Sequence, residues 1–315
     1  MDGPYQRNVT PVFLLVGFPS LQNFQILLFI IFLIFYLLIL IGNVMILCAV
    51  VMDRNLHKPM YFFLSNLSVL DILCTTTTIP KMLAMFLMNY RTISFHGCFI
   101  QMYFFHGLAV TESFFLVVMA YDRYVAICSP LHYSTKMTKG LNAKLAASAW
   151  ISAMILPMPV VIQTSQLLFC GSYKVLHCFC DHLSVVQAAC SDTTFQTIAG
   201  FSIAMVVSIV PLLLVCLSYL NIIIAILKIN SKEGRQKAFS TCTAHLIVVI
   251  TYYSSIAVSY ISYRTDIAID FHIMGNVIFA ILTPMVNPMI YTLRNKEVKE
   301  AIVKLVQMIK LQEKM

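Results

Sequence analysis

The sequence predicts an all-helical membrane protein: a bundle of seven transmembrane helices followed by a short amphipathic helix. Three observations carry this prediction: the composition, a series of long apolar runs, and the placement of the basic residues. Of 315 residues, 60 % are hydrophobic and 11 % charged. An ordinary soluble domain is about 45–50 % apolar and about 25 % charged. Runs long enough to cross a bilayer, about 20 residues each, recur at 25–51, 59–88, 97–127, 145–166, 197–227, 238–262 and 272–293, the third and fourth interrupted by polar residues. Helices satisfy their own backbone groups in lipid, so a helical bundle follows. The chain divides into an amino-terminal segment, 1–24, a bundle, 25–293, and a tail, 294–315.

Lysine and arginine set the orientation. With the amino terminus outside, the inner side holds Arg54, Lys58, Arg123, Lys136, Lys139, Lys144, Lys228, Lys232, Arg235 and Lys237. The tail adds Arg294, Lys296, Lys299, Lys304, Lys310 and Lys314, so sixteen of the 21 basic residues lie inside. Arg7, Lys81, Arg91, Lys174 and Arg264 remain elsewhere. Positive charge collects on the cytoplasmic face, which makes the amino terminus extracellular and the tail cytoplasmic. The net charge of +8 is thereby a topology signal, and no nucleic-acid partner is needed to explain it.

Along the chain, Asn8-Val9-Thr10 is a glycosylation acceptor in the external segment. The same pattern at Asn66 falls within the second span and is discarded. Residues 12–18 are too short, and lack the basic leader, for a cleaved signal peptide; the first span serves as the insertion signal. The loop at 167–196, between the fourth and fifth spans, is long, external and cysteine-rich, and long loops of this kind are functional or specially braced. In the tail, Val298, Ala301, Ile302, Leu305 and Ile309 recur on one helical face opposite Lys296, Glu300, Lys304 and Lys310. This reads as an amphipathic helix on the inner membrane surface, a solvated helical tail being the alternative. No cysteine follows Cys242, which excludes a palmitoyl anchor in the tail.

Six short motifs occur in order: "GN" at 42–43, "PMYFFLSNLSVLDI" at 59–72, "MAYDRYVAICSPLHY" at 119–133, "SY" at 218–219, "KAFSTCTAHL" at 237–246 and "PMVNPMIYTLRN" at 284–295. Together they resemble the odorant receptors, a branch of the rhodopsin-like G-protein-coupled receptors. "TTTTIPKML" and the short third external loop are similar to the tetrapod, class II, branch. The chain departs from the usual pattern at Ala244, where serine is common, at Tyr252 to Ser255, where Phe-Tyr-Gly-Thr is common, and at Cys178, where an aromatic is common.

The resemblance implies a receptor with no chemistry of its own. It would bind a volatile ligand within the bundle and activate a heterotrimeric G protein of the stimulatory, olfactory type that raises cAMP. It also implies a plasma-membrane location, contact with membrane lipid and trafficking chaperones. Arg123, of the Asp122-Arg123-Tyr124 motif, would pair with Asp122 at rest and face the G protein when active, with Tyr219 and Tyr291 as hydroxyl partners and His245 in the sixth-span switch. A desolvated arginine needs a partner, and intramembrane charges are functional by default.

Asp71 and Glu112 are the acids deepest in the membrane, with Asn43 and Asn287 expected close by. Two carboxylates in one dry cavity cannot both ionise cheaply. Either a sodium ion sits there, the single cofactor candidate, or the acids share protons in a structural network. Pocket positions come from helical spacing: His106, Ala109, Val110 and Ser113 on span three, Tyr253, Ile256, Ala257 and Tyr260 on span six, closed by Ile203, Ala204, Val207 and Val277. This lining suits a small neutral ligand; for each residue alone, helix packing is an equal alternative. Phe105 stands where amine receptors of the superfamily carry an acid, which favours a neutral odorant.

Five cysteines are external. The resemblance implies Cys98–Cys180 and Cys170–Cys190 disulfides, leaving Cys178 as an odd thiol. In "HCFCD", His177, Cys180 and Asp181 also have ligand-like spacing for zinc or copper; the disulfide-fixed loop is preferred. A membrane transporter using the intramembrane carboxylates is the alternative function, but such proteins usually carry internal repeats and none is found. An enzyme is not indicated, since no His-Glu-x-x-His or Ser/His arrangement occurs.

Overall fold

The computed structural model describes residues 12–170, 173–262 and 268–312. Arg7, Asn8, Arg264 and Lys314, and the side chains of Lys237, Ile309 and Lys310, lie outside the described residues.

Seven crossings form the bundle. They are α1 (Gln25–Met52), α2 (Pro59–Met88), α3 (Phe95–Cys128), a fourth built from α5 (Lys139–Ile155) and α6 (Met158–Ser165), then α8 (Thr194–Leu227), α9 (Lys232–Ser262) and α10 (Ile269–Arg294). Two short helices lie between them, α4 (Tyr133–Lys136) and α7 (His182–Val186), and α11 (Lys296–Gln312) follows the bundle. Several helices outrun the apolar runs in the sequence: α5 begins at Lys139 and α9 at Lys232. Polar residues near water continue a helix as well as apolar ones do, so an apolar run marks only the part in lipid. The fourth crossing breaks around Pro157, whose ring and missing N–H interrupt the helix.

α3 is the axis of the bundle and packs against α2, α5, α6, α8 and α9. At the other extreme, α1 leaves Ile26, Leu27, Ile30, Ile34 and Leu38 exposed, the apolar surface expected of a helix facing lipid. The amphipathic helix is present as α11, but its apolar face is not left to the membrane alone. Val298, Ala301 and Leu305 are buried, and α11 packs on α1 and α10.

A small sheet unforeseen from the sequence covers one end. β1 (Val12–Leu15) pairs antiparallel with β2 (Thr92–Ser94) and parallel with β3 (Lys174–Val175). Burial alternates along β1, with Phe13 and Leu15 fully buried and Val12 and Leu14 exposed, the period of a strand with one face on the core. Phe13 meets Phe95, Phe99, Phe169 and Tyr173, with ring centroids 5.1–6.2 Å apart. The segment before α1 is thereby stitched to the long loop.

Two prolines explain two polar residues. Pro288 has no N–H, so the carbonyl of Pro284, one turn earlier, loses its helical donor. Asn43 Nδ2 donates to that carbonyl at 3.2 Å and to Ile39 O at 3.0 Å. A Cβ at Gly42 would lie 3.1 Å from the Pro288 ring, so a glycine allows α1 to approach there. The Gly42-Asn43 pair is thus a seat for the broken turn of α10. Pro211 likewise frees the carbonyl of Val207, and Ser113 Oγ donates to it at 3.2 Å.

Candidate functional site

The functional candidates fall at three depths. At the end bearing Arg123, Asp122 and Arg123 are buried, and Arg123 Nη2 lies 2.7 Å from Asp122 Oδ2. Tyr133 Oη donates to the other carboxylate oxygen at 2.7 Å, a partner the sequence reading missed. Tyr124, half-buried, is not in this network as described. His245 Nε2 lies 3.1 Å from Leu116 O and its Nδ1 2.7 Å from Tyr219 Oη. A carbonyl only accepts, so Nε2 carries the proton and Nδ1 accepts from tyrosine. Tyr219 is therefore occupied by His245 while Arg123 is held by Asp122. The buried Tyr291 hydroxyl has no partner among the described residues. Arg123, Tyr133, His245 and Tyr291 line one cavity of about 690 Å³.

At mid-depth, Asn287 Nδ2 is 3.1 Å from both oxygens of Asp71 and 3.5 Å from Glu112 Oε1. One amide thus joins two buried carboxylates. The Asn43 amide nitrogen serves the α1 and α10 backbone carbonyls. Ser68, one turn before Asp71, and Asn287 each carry a buried oxygen without a partner among the described residues. This collection of hard oxygens fits a small cation of the sodium type better than a soft metal.

Nearer the long loop, Phe105, Val110, Ser113 and Val277 are buried, Ala109, Ile203, Ala204, Val207, Ile256 and Tyr260 half-buried, and Ala257 exposed. Ser113 and Tyr253 are joined at 3.0 Å. Because the Ser113 hydroxyl proton goes to Val207 O, Tyr253 is the donor to Ser113. Tyr252 donates to Ala109 O at 2.7 Å. Three of these polar groups hold α3, α8 and α9 together, a task that helical spacing alone did not reveal.

The loop covers this end. Cys98 is bonded to Cys180 and Cys170 to Cys190. Gln101 reinforces the first bond: it accepts from Cys180 N at 2.9 Å and donates to Thr77 O at 2.8 Å. Phe179 packs on Phe105 with centroids 4.8 Å apart, and Phe279 meets the same ring from α10. The zinc or copper alternative for His177, Cys180 and Asp181 fails here, since the Cys180 sulfur is used in a disulfide and is no thiolate ligand. An acid does reach this region, supplied by the loop: Asp181 Oδ1 lies 3.6 Å from His106 Nε2. Gly200 of α8 makes room for the neighbouring His182, whose ring a Cβ there would overlap.

Cys178 is buried and unbonded, and burial, with Asp270 adding to it, pushes its thiol well above the ordinary value. His177 and His182 are buried in the same loop. Burial pulls each imidazole down to about 4, with His106 adding to the effect on His182 and Asp181 opposing it on both. An unfolded histidine titrates near 6.5, so the unfolded chain takes up these protons first as pH falls. The stability they confer is complete above about 6.5 and lost between about 6.5 and 4. The thermal unfolding midpoint of the purified protein should fall across that window. His177→Asn, which keeps an acceptor for the Phe179 N–H, should flatten part of the fall; a flat wild-type profile would refute the assignment.

The family model described as "Olfactory receptor" matches residues 32–309, nearly all of the bundle and tail. The chain belongs to the olfactory receptor family. It is similar to human olfactory receptor 2AT4, 62 % identical over 94 % of this chain and 93 % of that one. It is also similar to human olfactory receptor 6N1, 44 % identical over 92 % of this chain and 93 % of the relative, and to mouse olfactory receptor 6B9, 44 % identical over 94 % of each. The receptor is therefore a multi-pass membrane protein of the rhodopsin-like G-protein-coupled class. Its family binds odorants and couples to G proteins, and the transporter reading is set aside.

Proposed function

We propose that this olfactory receptor takes a small, neutral, mostly apolar odorant between α3, α8, α9 and α10, beneath the long loop. The ligand then triggers a stimulatory, olfactory-type G protein at the end bearing Arg123, raising cAMP. The observation that supports this most is the layout of α3. One helix carries Phe105, His106, Ala109 and Val110 towards the loop and Arg123, paired with Asp122, on the cavity at the other end. Between them Ser113 joins α3 to both α8 and α9. A ligand that parts α8 from α9 would strain that junction and the Tyr219–His245 contact below it. In this reading the amino terminus is extracellular, the tail cytoplasmic, and the receptor sits in the plasma membrane. Asp71, Glu112 and Asn287 would hold a sodium ion or a shared proton that favours the resting packing.

Ser113 is committed to its helix neighbours, so the oxygen of an odorant is left to His106 and Tyr260. A buried hydrogen bond is worth about 0.5–1.5 kcal/mol net. Tyr260→Phe should therefore weaken an alcohol or ketone agonist by up to about tenfold and an apolar analogue less. Ala109→Phe should exclude large agonists outright, while Ala257→Phe, at an exposed position, should do less. Odorant dose–response curves in a cAMP reporter cell, with surface levels matched by antibody, test this. Unchanged potency in Ala109→Phe would place the ligand elsewhere.

A further inference from the structure

We propose that the Arg123 end of the receptor carries a second binding site, for the phosphorylated polyol headgroup of an anionic lipid in the adjacent leaflet. A cavity of about 730 Å³ lies between the turn joining α1 to α2 and the helices α4 and α5. It is separate from the odorant region and on the far side of the bundle.

Its lining carries three bases and no acid. Lys58 and Lys139 contribute the charge beside His57, and no Asp or Glu is among the lining residues. Of the acids nearby, Glu297 receives Lys58 at 2.7 and 2.9 Å and offsets part of its charge, Asp53 meets Lys304 at 3.5 Å, and Asp122 is held by Tyr133 and Arg123, which leaves Lys139 without an acidic partner among the described residues. Lys139 is also the first residue of α5, whose amino-terminal end Thr138 caps by accepting from Leu141 N at 3.2 Å. A helix start adds partial positive charge and favours phosphate. Space around Gly140 is open, so a bulky anion can approach.

A second observation is independent of charge. Asn142 lines the same cavity, is 6 % exposed, and its Oδ1 has no hydrogen-bond partner among the described residues. An orphaned buried acceptor calls for a missing donor. A phosphate oxygen cannot supply one, whereas a hydroxyl can. An ammonium, as in phosphatidylserine, could also donate, but Lys58 and Lys139 in the same lining repel it. The fitting ligand therefore presents an anion and hydroxyl groups, as a phosphorylated polyol does. Phe62 and Met137 add apolar wall to the cavity, which suits the glycerol and upper acyl chain of a lipid and has no use for a free sugar phosphate. Basic pockets between membrane helices on the cytoplasmic side take such headgroups.

The site reaches the switch directly. Lys58 and Tyr133 line both this cavity and the one holding Arg123. Tyr133 is the residue that donates to Asp122, so an occupant braces the resting ion pair, and it competes with Glu297 for Lys58.

The test uses full-length receptor purified and reconstituted in nanodiscs. Lipid retained by the receptor is read by native mass spectrometry from mixtures of phosphatidylcholine, phosphatidylserine and a phosphoinositide. Wild type should retain the phosphoinositide over phosphatidylserine. Lys139→Ala, at an exposed position that leaves the fold intact, should cut that retention about fivefold, the effect of one basic residue. Asn142→Leu should erase the preference over phosphatidylserine. Equal retention in wild type and Lys139→Ala would overturn the site, and full displacement by a soluble inositol phosphate would overturn its assignment to lipid. No odorant enters these readouts, so their failure is distinct from failure of the odorant pocket.

Discussion

Replacing Arg123 by alanine is expected to silence odorant-evoked signalling completely and to lower the number of receptors at the cell surface. Arg123 is nine-tenths buried and lies 2.7 Å from Asp122, which is itself 1 % exposed. Removing the guanidinium leaves a buried carboxylate with Tyr133 as its remaining donor. Breaking a buried pair in this way costs about 3–5 kcal/mol, a large part of a typical stability of about 5–15 kcal/mol. The single variant therefore confounds signalling with folding. Asp122→Asn with Arg123→Ala removes the stranded charge, keeps an acceptor for Tyr133, and should restore surface levels while remaining silent. Reporter output per receptor, normalised by surface staining, separates the two effects. Robust signalling from the double variant would show that Arg123 is a boundary charge only.

What the sequence could and could not reveal follows from the range of each interaction. The spans were legible because lipid imposes its demand on every residue of a run, whatever its neighbours. Helix ends were less so: the extra turns of α5 and α9 are polar and sit outside the apolar window. The sheet was invisible, since β1, β2 and β3 are four, three and two residues long and pair between segments of sequence as far apart as Leu15 and Val175.

The same logic applies to the site. Asp71, Glu112 and Asn287 could be brought together in advance because few polar residues lie that deep. The Asn43 amide nitrogen has a separate task on the α10 backbone, and that task has a local trace. Pro288 follows Pro284 by four residues, so an unpaired carbonyl was foreseeable, and only its partner required the fold. Pro211 frees Val207 O by the same rule, and the donor turned out to be Ser113. Asp181 had no such trace. Its approach to His106 depends on the course of the loop, which Cys98–Cys180 and Gln101 fix from α3, the helix that also carries His106.

That dependence makes the loop the most sensitive element outside the bundle. Cys98→Ser or Cys180→Ser should trap the receptor inside the cell, Cys170→Ser or Cys190→Ser should do so less, and Cys178→Ser least. The Cys98–Cys180 bond closes a sequence separation of 82 and Cys170–Cys190 one of 20. By chain-entropy arithmetic these are worth about 4.5 and about 3.3 kcal/mol, upper limits where the bilayer already confines the unfolded helices. Position widens the gap: Cys98 and Cys180 are fully buried, whereas Cys170 and Cys190 are exposed. Losing the first bond also releases the Gln101 contact, lifts Phe179 from Phe105 and withdraws Asp181 from His106. Cys178 has no disulfide to lose. Its serine replacement is slightly smaller and buries a hydroxyl, a cost of about 1–3 kcal/mol where that hydroxyl has no partner, so surface expression should fall moderately. Flow cytometry of surface and total receptor for the five serine variants gives the order. Retention of Cys178→Ser as severe as that of Cys180→Ser would mean that the buried thiol, and not the disulfide alone, holds the loop in place.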